Sequence, residues 1–151
     1  MNIHSDFEEF LRLLSEENTD YVIIGGYAVA FHGYVRATDD LDVFFRNTHD
    51  NIAKIRRALG AFGMPTTDEN AADFSEPGNI IRMGLSPFRI EMMNSISGLS
   101  FDEAWEHRIP DRFGETPVCY ISLGDLIQNK RESARPKDLT DIDELGGNRL
   151  T

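Results

Sequence analysis

The sequence predicts an α/β fold. Two patterns carry that expectation. Short apolar, β-branched runs that read as strands alternate along the chain with segments whose apolar residues recur at helical spacing. In addition, residues 21–45 read as one unit, a strand, a Gly-Gly turn, a short helix and a second strand.

Taken in order, residues 5–18 read as a first helix, with Ser5 as cap, Glu8 as its capping-box partner and Phe7, Phe10, Leu11 and Leu14 as the apolar stripe. Asn18-Thr19-Asp20 turns into a buried strand, Tyr21 to Ile24. Gly25-Gly26 ends it, because glycine adopts dihedrals closed to other residues. Tyr27 to His32 can form about two turns of helix, and Gly33 stands where a C′ glycine would stop it. The next strand begins near Asp39 or Asp40 and runs to Phe45. Its alternation puts Asp40 and Asp42 on one face and Leu41, Val43 and Phe45 on the other.

Thr48 is placed to cap a helix over residues 50–62, striped by Ile52, Ile55, Leu59 and Phe62 and closed by Gly63. Residues 65–77 are polar and acidic and read as a helix-bearing surface loop. Residues 79–85 and 88–93 read as two strands joined at Ser86-Pro87. Ser100 and Glu103 form a capping box for a short helix in which Trp105 reads as packing. Residues 117–121 are a further strand, Ser122 caps a helix reaching Lys130, and Pro136 opens another.

The chemistry concentrates in few residues. Two carboxylates side by side repel each other, and burial would force a proton onto one of them. A divalent cation removes that conflict, and oxygen-only ligands suit Mg²⁺ or Mn²⁺ rather than zinc. The Gly-Gly turn opens a helix, where backbone N–H groups favour a phosphate. A phosphate cradle beside a metal pair suggests phosphoryl or nucleotidyl transfer. Glu91 is a carboxylate amid apolar neighbours in its strand, which is costly unless it is partnered. Either it pairs with Arg82 or Arg89, or it joins Asp40 and Asp42 as a third acid.

Gly25-Gly26 followed by Thr38-Asp39-Asp40-Leu41-Asp42 resembles the signature of the DNA polymerase β-like nucleotidyltransferase superfamily. The version here, with Arg36-Ala-Thr38, looks like the AbiEii-type and related small bacterial nucleotidyltransferases. Gly98-x-x-Phe101-x-x-Ala104 adds to the likeness, as do Lys130, then Arg135-Pro-Lys137-Asp138, then Asp141. The resemblance implies a mixed sheet flanked by helices, one nucleotidyltransferase domain over 1–151, and helices of about 122–146 closing the cleft. It implies that Gly25 and Gly26, with Thr38 beside them, hold the phosphates of an NTP and that Lys130 reaches the triphosphate. Asp40, Asp42 and Glu91 would be catalytic and would bind Mg²⁺ or Mn²⁺. In this family the third acid is most often aspartate, so Glu91 is a departure. The blander reading pairs Lys130 with Glu132, Asp138 and Asp141, and has Arg135 and Asp138 lock a turn. The product would be a nucleotidylated hydroxyl acceptor plus pyrophosphate. Relatives of this kind act as toxins on tRNA or protein, with a cognate antitoxin as partner. Others modify antibiotics of the lincosamide or aminoglycoside type. A catalytically silent nucleotide-binding module is the rival from another class.

Composition bounds these readings. The 151 residues are 40% hydrophobic and 27% charged, ordinary for a globular protein. The net charge of −11 repels nucleic acid at long range and weighs against a broad RNA or DNA grip. No apolar run approaches the ~20 residues of a membrane span. The start of the chain lacks a signal-peptide pattern. Cys119 is the one cysteine and has no activating partner in view, so a reducing cytoplasm is the expected setting.

Overall fold

The computed structural model describes residues 5–84 and 88–149. The Ser86-Pro87 junction and His4 lie outside the described residues. Along the chain come α1 (Ser5–Glu16), β1 (Tyr21–Ile24), α2 (Gly25–Phe31), β2 (Leu41–Phe45), α3 (His49–Ala61), α4 (Asp68–Ser75), β3 (Ile80–Met83) and β4 (Ile90–Met93). Then follow α5 (Phe101–Glu106), β5 (Ile109–Phe113), β6 (Thr116–Tyr120), α6 (Leu123–Ser133), α7 (Pro136–Glu144) and a 3₁₀ turn, Gly147–Arg149.

The strands make one six-stranded sheet in the order β3-β4-β2-β1-β6-β5. It is mixed, as expected. β1 pairs antiparallel with β2 and parallel with β6, β2 pairs parallel with β4, and the edge strands β3 and β5 are antiparallel to their neighbours.

Alternation sorts the sheet into two faces. Tyr21, Ile23, Leu41, Val43, Phe45, Ile90 and Met92 belong to the larger core, packed with Phe7, Phe10, Leu11 and Leu14 of α1 and with Ile52, Ile55 and Leu59 of α3. Val22, Ile24 and Phe44 point the other way, to a smaller core with Ala28, Val29, Ala104 and Leu126. Asp42 has the parity of Phe44, so it belongs to this second face. There the apolar packing gives out near the end of β1.

Capping sets most helix boundaries. Thr48, Ser100 and Ser122 each accept a backbone N–H three residues on, as their spacing predicts. Thr67 and Asn70 form a capping box for α4, the helix inside the polar 65–77 segment. Gly33 and Gly63 follow their helices with positive φ.

Four boundaries differ from expectation. α1 ends at Glu16, because Asn18 turns left-handed at φ 56°. Glu8 does not close a box on Ser5; its carboxylate accepts the Glu115 N–H at 3.0 Å, tying α1 to the β5–β6 turn. β2 begins at Leu41, leaving Asp40 just outside it, and β3 and β4 are shorter than their apolar runs. β5 has no counterpart among the predicted strands. Ile109-Pro-Asp-Arg-Phe113 is an edge strand with only Phe113 buried, so it carries no apolar alternation, and its proline is tolerated at an edge.

Candidate active site

Register brings the predicted acids together. Ile24 pairs with Asp42, Asp42 with Glu91, and Glu91 with Arg82, so these four residues form one row across β1, β2, β4 and β3. Asp42 sits in the middle of that row. Its Oδ1 is buried without a hydrogen-bond partner. Burial first, and then the charges of Glu91 and Asp40, push its carboxyl up to about 7, against a weaker pull from Lys137. Glu91 accepts from Arg82 Nε at 3.1 Å, so its cross-strand arginine neighbour is in place. Asp40 lies 3.6 Å from Arg89 Nη2.

The two glycines are explained by what crowds them. Gly25 stands at φ +68°, where an L side chain is strained, and a Cβ there would strike the Asp42 carboxylate. A Cβ on Gly26 would strike the Thr38 hydroxyl. The turn therefore lies against Asp42 on one side and Thr38 on the other. No side chain caps the first turn of α2.

The opposite wall comes from α6 and α7, which hold a buried charge network. Lys130 Nζ lies 2.9 Å from Asp141 and 3.3 Å from Asp138, and its side chain is 5% exposed. Arg36 donates two hydrogen bonds to Asp141, at 2.9 and 3.0 Å. Arg135 donates to Asp138 from Nε and from its backbone N–H, and Ser133 adds its hydroxyl at 2.9 Å. Burial opposes ionisation of Asp138, but the bonds from Arg135 and Ser133 and the Lys130 charge outweigh it, holding the carboxyl at about 2. The Asp141 carboxyl is likewise lowered, burial being outweighed by bonds from Arg36 and Lys130. The Arg135–Asp138 turn lock matches the bland reading, but the network around Lys130 is buried rather than on a solvated face.

Between these walls is a cleft of about 300 Å³, lined by Gly25, Gly26, Arg36, Asp40, Asp42, Glu91, Lys130, Ser133, Arg135 and Lys137 among others. Apart from Thr38, every residue singled out for catalysis or binding lines it, and Thr38 touches it through Gly26. A larger groove of about 420 Å³ lies around Asn18, Trp105 and Pro117 and contains none of them. Sequence reasoning noticed Arg36 and Asp141 but not their bond. They are 105 residues apart, and no local pattern signals such a pair.

The acids suit a hard divalent cation. Asp42 presents a buried, unpartnered oxygen, its neighbours are carboxylates, and the donor set is oxygen only. Among the described residues no group of three acidic, histidine or cysteine side chains is gathered closely enough to hold a metal ion by itself. Elsewhere, His32 Nε2 is bonded to the Ile121 carbonyl at 2.7 Å, a structural role. Trp105 packs on Phe101 and under the Arg108 guanidinium, and burial raises the Cys119 thiol.

Residues 3–146 match the family model described as nucleotidyltransferase of unknown function, DUF6036. The chain belongs to that family. It is a nucleotidyltransferase by descent, in keeping with the small polymerase β-like signature in its sequence. No curated protein matches it. Among solved structures, the antibiotic-resistance factor ANT(2″)-Ia in solution superposes with a TM-score of 0.59 at 16% identity, over 97% of this chain and 83% of that one. The crystal structure of ANT(2″)-Ia with adenylyl-2″-tobramycin gives 0.56 at 15% identity, over 96% and 87%. TM1012 from Thermotoga maritima, proposed to be a nucleotidyltransferase, gives 0.56 at 12% identity, over 99% and 94%. At such identities the likeness is one of fold. No helix among the described residues is long and apolar enough to cross a membrane.

Proposed function

We propose that the cleft moves the nucleotidyl group of an NTP onto the hydroxyl of an acceptor and releases pyrophosphate. The observation that carries this reading is Asp42, a carboxylate buried beside Glu91 with an orphaned oxygen, facing the Gly25-Gly26 turn. Asp42 and Asp40 would hold Mg²⁺ or Mn²⁺, with Glu91 contributing at the same cluster. When bound, the ion would supply charge stabilisation for the phosphates and for the leaving pyrophosphate. Gly25 and Gly26 let the turn pack directly against Asp42 and Thr38, which a Cβ at either position would strike, and the turn's backbone N–H groups would meet the β- and γ-phosphates. Thr38 borders the same turn and fixes its shape. Glu91, bonded to Arg82, would accept the acceptor's proton.

For the acceptor we favour a small hydroxyl-bearing molecule. The net charge of −11 disfavours a long polyanion and attracts cationic small molecules. The aminoglycoside product bound by ANT(2″)-Ia shows that a nucleotidyltransferase of this fold handles such a compound. The deciding experiment incubates the protein with each α-labelled NTP, Mg²⁺ or Mn²⁺, and separate pools of RNA, protein and hydroxylated small molecules including aminoglycosides and lincosamides. Label in the small-molecule pool that vanishes in Asp42→Asn supports the proposal. Label in tRNA or protein would replace the acceptor reading with the toxin one, in which a cognate antitoxin is the partner. Nucleotide binding with no transfer in any pool would leave a silent module.

A further inference from the structure

Four cationic side chains line the cleft wall, and among the described residues only one of them makes no ion pair. Arg36 is committed to Asp141 through two bonds, and Arg135 to Asp138. Lys130 lies between both aspartates at 2.9 and 3.3 Å, with 5% of its side chain exposed. Lys137 is exposed and makes no ion pair among the described residues, yet it borders the same cavity.

We propose that Lys137, and not Lys130, is the cation that meets the phosphates of the nucleotide, and that Lys130 is a positioning residue that holds the wall from which Lys137 projects. The proposal rests on the nucleotidyl-transfer reading above. For Lys130 to reach a triphosphate, its ammonium would have to leave two buried carboxylates uncompensated, which low-dielectric surroundings penalise heavily. Lys137 faces no such cost. An ammonium is a compact point charge with three donors, suited to phosphate oxygens that are still partly in water.

The chain also explains why Lys137 stands there. Pro136 opens α7, and the Arg135–Asp138 capping box fixes the turn before it, so residue 137 is set in the first turn at the cleft. Asp138 is in turn gripped by Lys130 from α6, and Asp141 by Lys130 and by Arg36 from the segment that precedes β2. Lys130 therefore joins α6 to α7, and Asp141, which it shares with Arg36, joins α7 to the segment carrying Thr38 and Asp40. Its influence on nucleotide binding passes through that connection.

The test titrates ATP, GTP, CTP and UTP, each with Mg²⁺, into wild type, Lys137→Gln, Lys137→Arg and Lys130→Gln, and records the melting temperature of each protein. Lys137→Gln is expected to weaken binding of the best NTP about tenfold, or ~1.4 kcal/mol, with its melting temperature unchanged. The loss should shrink for the corresponding monophosphate, and Lys137→Arg should restore most of the affinity. Lys130→Gln is expected to melt several degrees lower, because the Asp138 and Asp141 charges lose their shared partner. The proposal is overturned if Lys137→Gln binds NTP as wild type does, if wild type binds none of the four, or if Lys130→Gln keeps its melting temperature and loses the nucleotide. None of these titrations depends on turnover. A wild type that binds NTP but transfers no label thus defeats the transfer reading without touching this one.

Discussion

Replacing Asp42 by asparagine is expected to make the metal-free protein more stable at pH 8 while abolishing transfer. Burial and the facing acids place the Asp42 carboxyl at about 7, against an ordinary 3.8. Between those values the folded protein keeps a proton that the unfolded chain has released. Stability therefore declines as pH rises through that window and is level above it. At ~1.4 kcal/mol per tenfold, the full difference corresponds to ~4 kcal/mol. Asparagine keeps the shape and carries no charge, so at pH 8 it should recover ~2–4 kcal/mol, or ~5–15 °C in melting temperature for a chain of this length. Urea unfolding of both proteins at pH 5 and pH 8 in chelator measures this directly. The wild type should lose stability between the two pH values and the variant much less. Added Mg²⁺ should then stabilise the wild type alone. A variant no more stable than wild type at pH 8, or a gap that ignores pH, would refute the reasoning.

Other perturbations have equally definite outcomes. Gly25→Ala forces an L side chain into φ +68° and against Asp42, so a loss of at least ~1–2 kcal/mol is expected from the backbone alone, read as a lowered melting temperature together with lost transfer. Asp141→Ala strips Lys130 and Arg36 of their shared carboxylate and should cost ~3–5 kcal/mol by urea unfolding. Asp138 has the opposite pH behaviour to Asp42. Its carboxyl is held at about 2, so it adds ~2 kcal/mol that is present above pH ~4 and fades as pH falls toward 2, and Asp138→Asn should flatten that part of an acid-unfolding curve.

The parts of the fold that could be read from sequence are those whose signal is local. Alternation in β2 and β4, the helical stripe of α3, and the Thr48, Ser100 and Ser122 caps each occupy a few consecutive residues. The acids were visible for the same reason, since Asp-Leu-Asp on a strand is a local pattern. β5 was not, because an exposed edge strand need not be apolar. The partners of Lys130 were only half visible. Asp138 and Asp141 stand close by in the sequence, but the depth of their burial and the Arg36 contact are products of tertiary packing. That contact decides whether Lys130 is free to meet a ligand, so the role of Lys130 could not be settled by its place in a motif.

The cleft sets aspartates of one chemistry in opposite electrical states. On the sheet, Asp42 is buried among acids with an unpartnered oxygen, and its carboxyl is driven up. On the helices, Asp138 is buried more completely, yet its carboxyl is driven down, because Lys130, Arg135 and Ser133 surround it. Burial alone thus does not distinguish a working carboxylate from a structural one; the sign of what surrounds it does. In the helix network both carboxylates are already matched by cations. The sheet row carries an unmet demand for positive charge, which costs stability until a cation arrives. On the nucleotidyl-transfer reading proposed above, a site built in this way would bind a cation and nucleotide with energy that the fold has held back, and the network opposite would keep the wall in place while it did so.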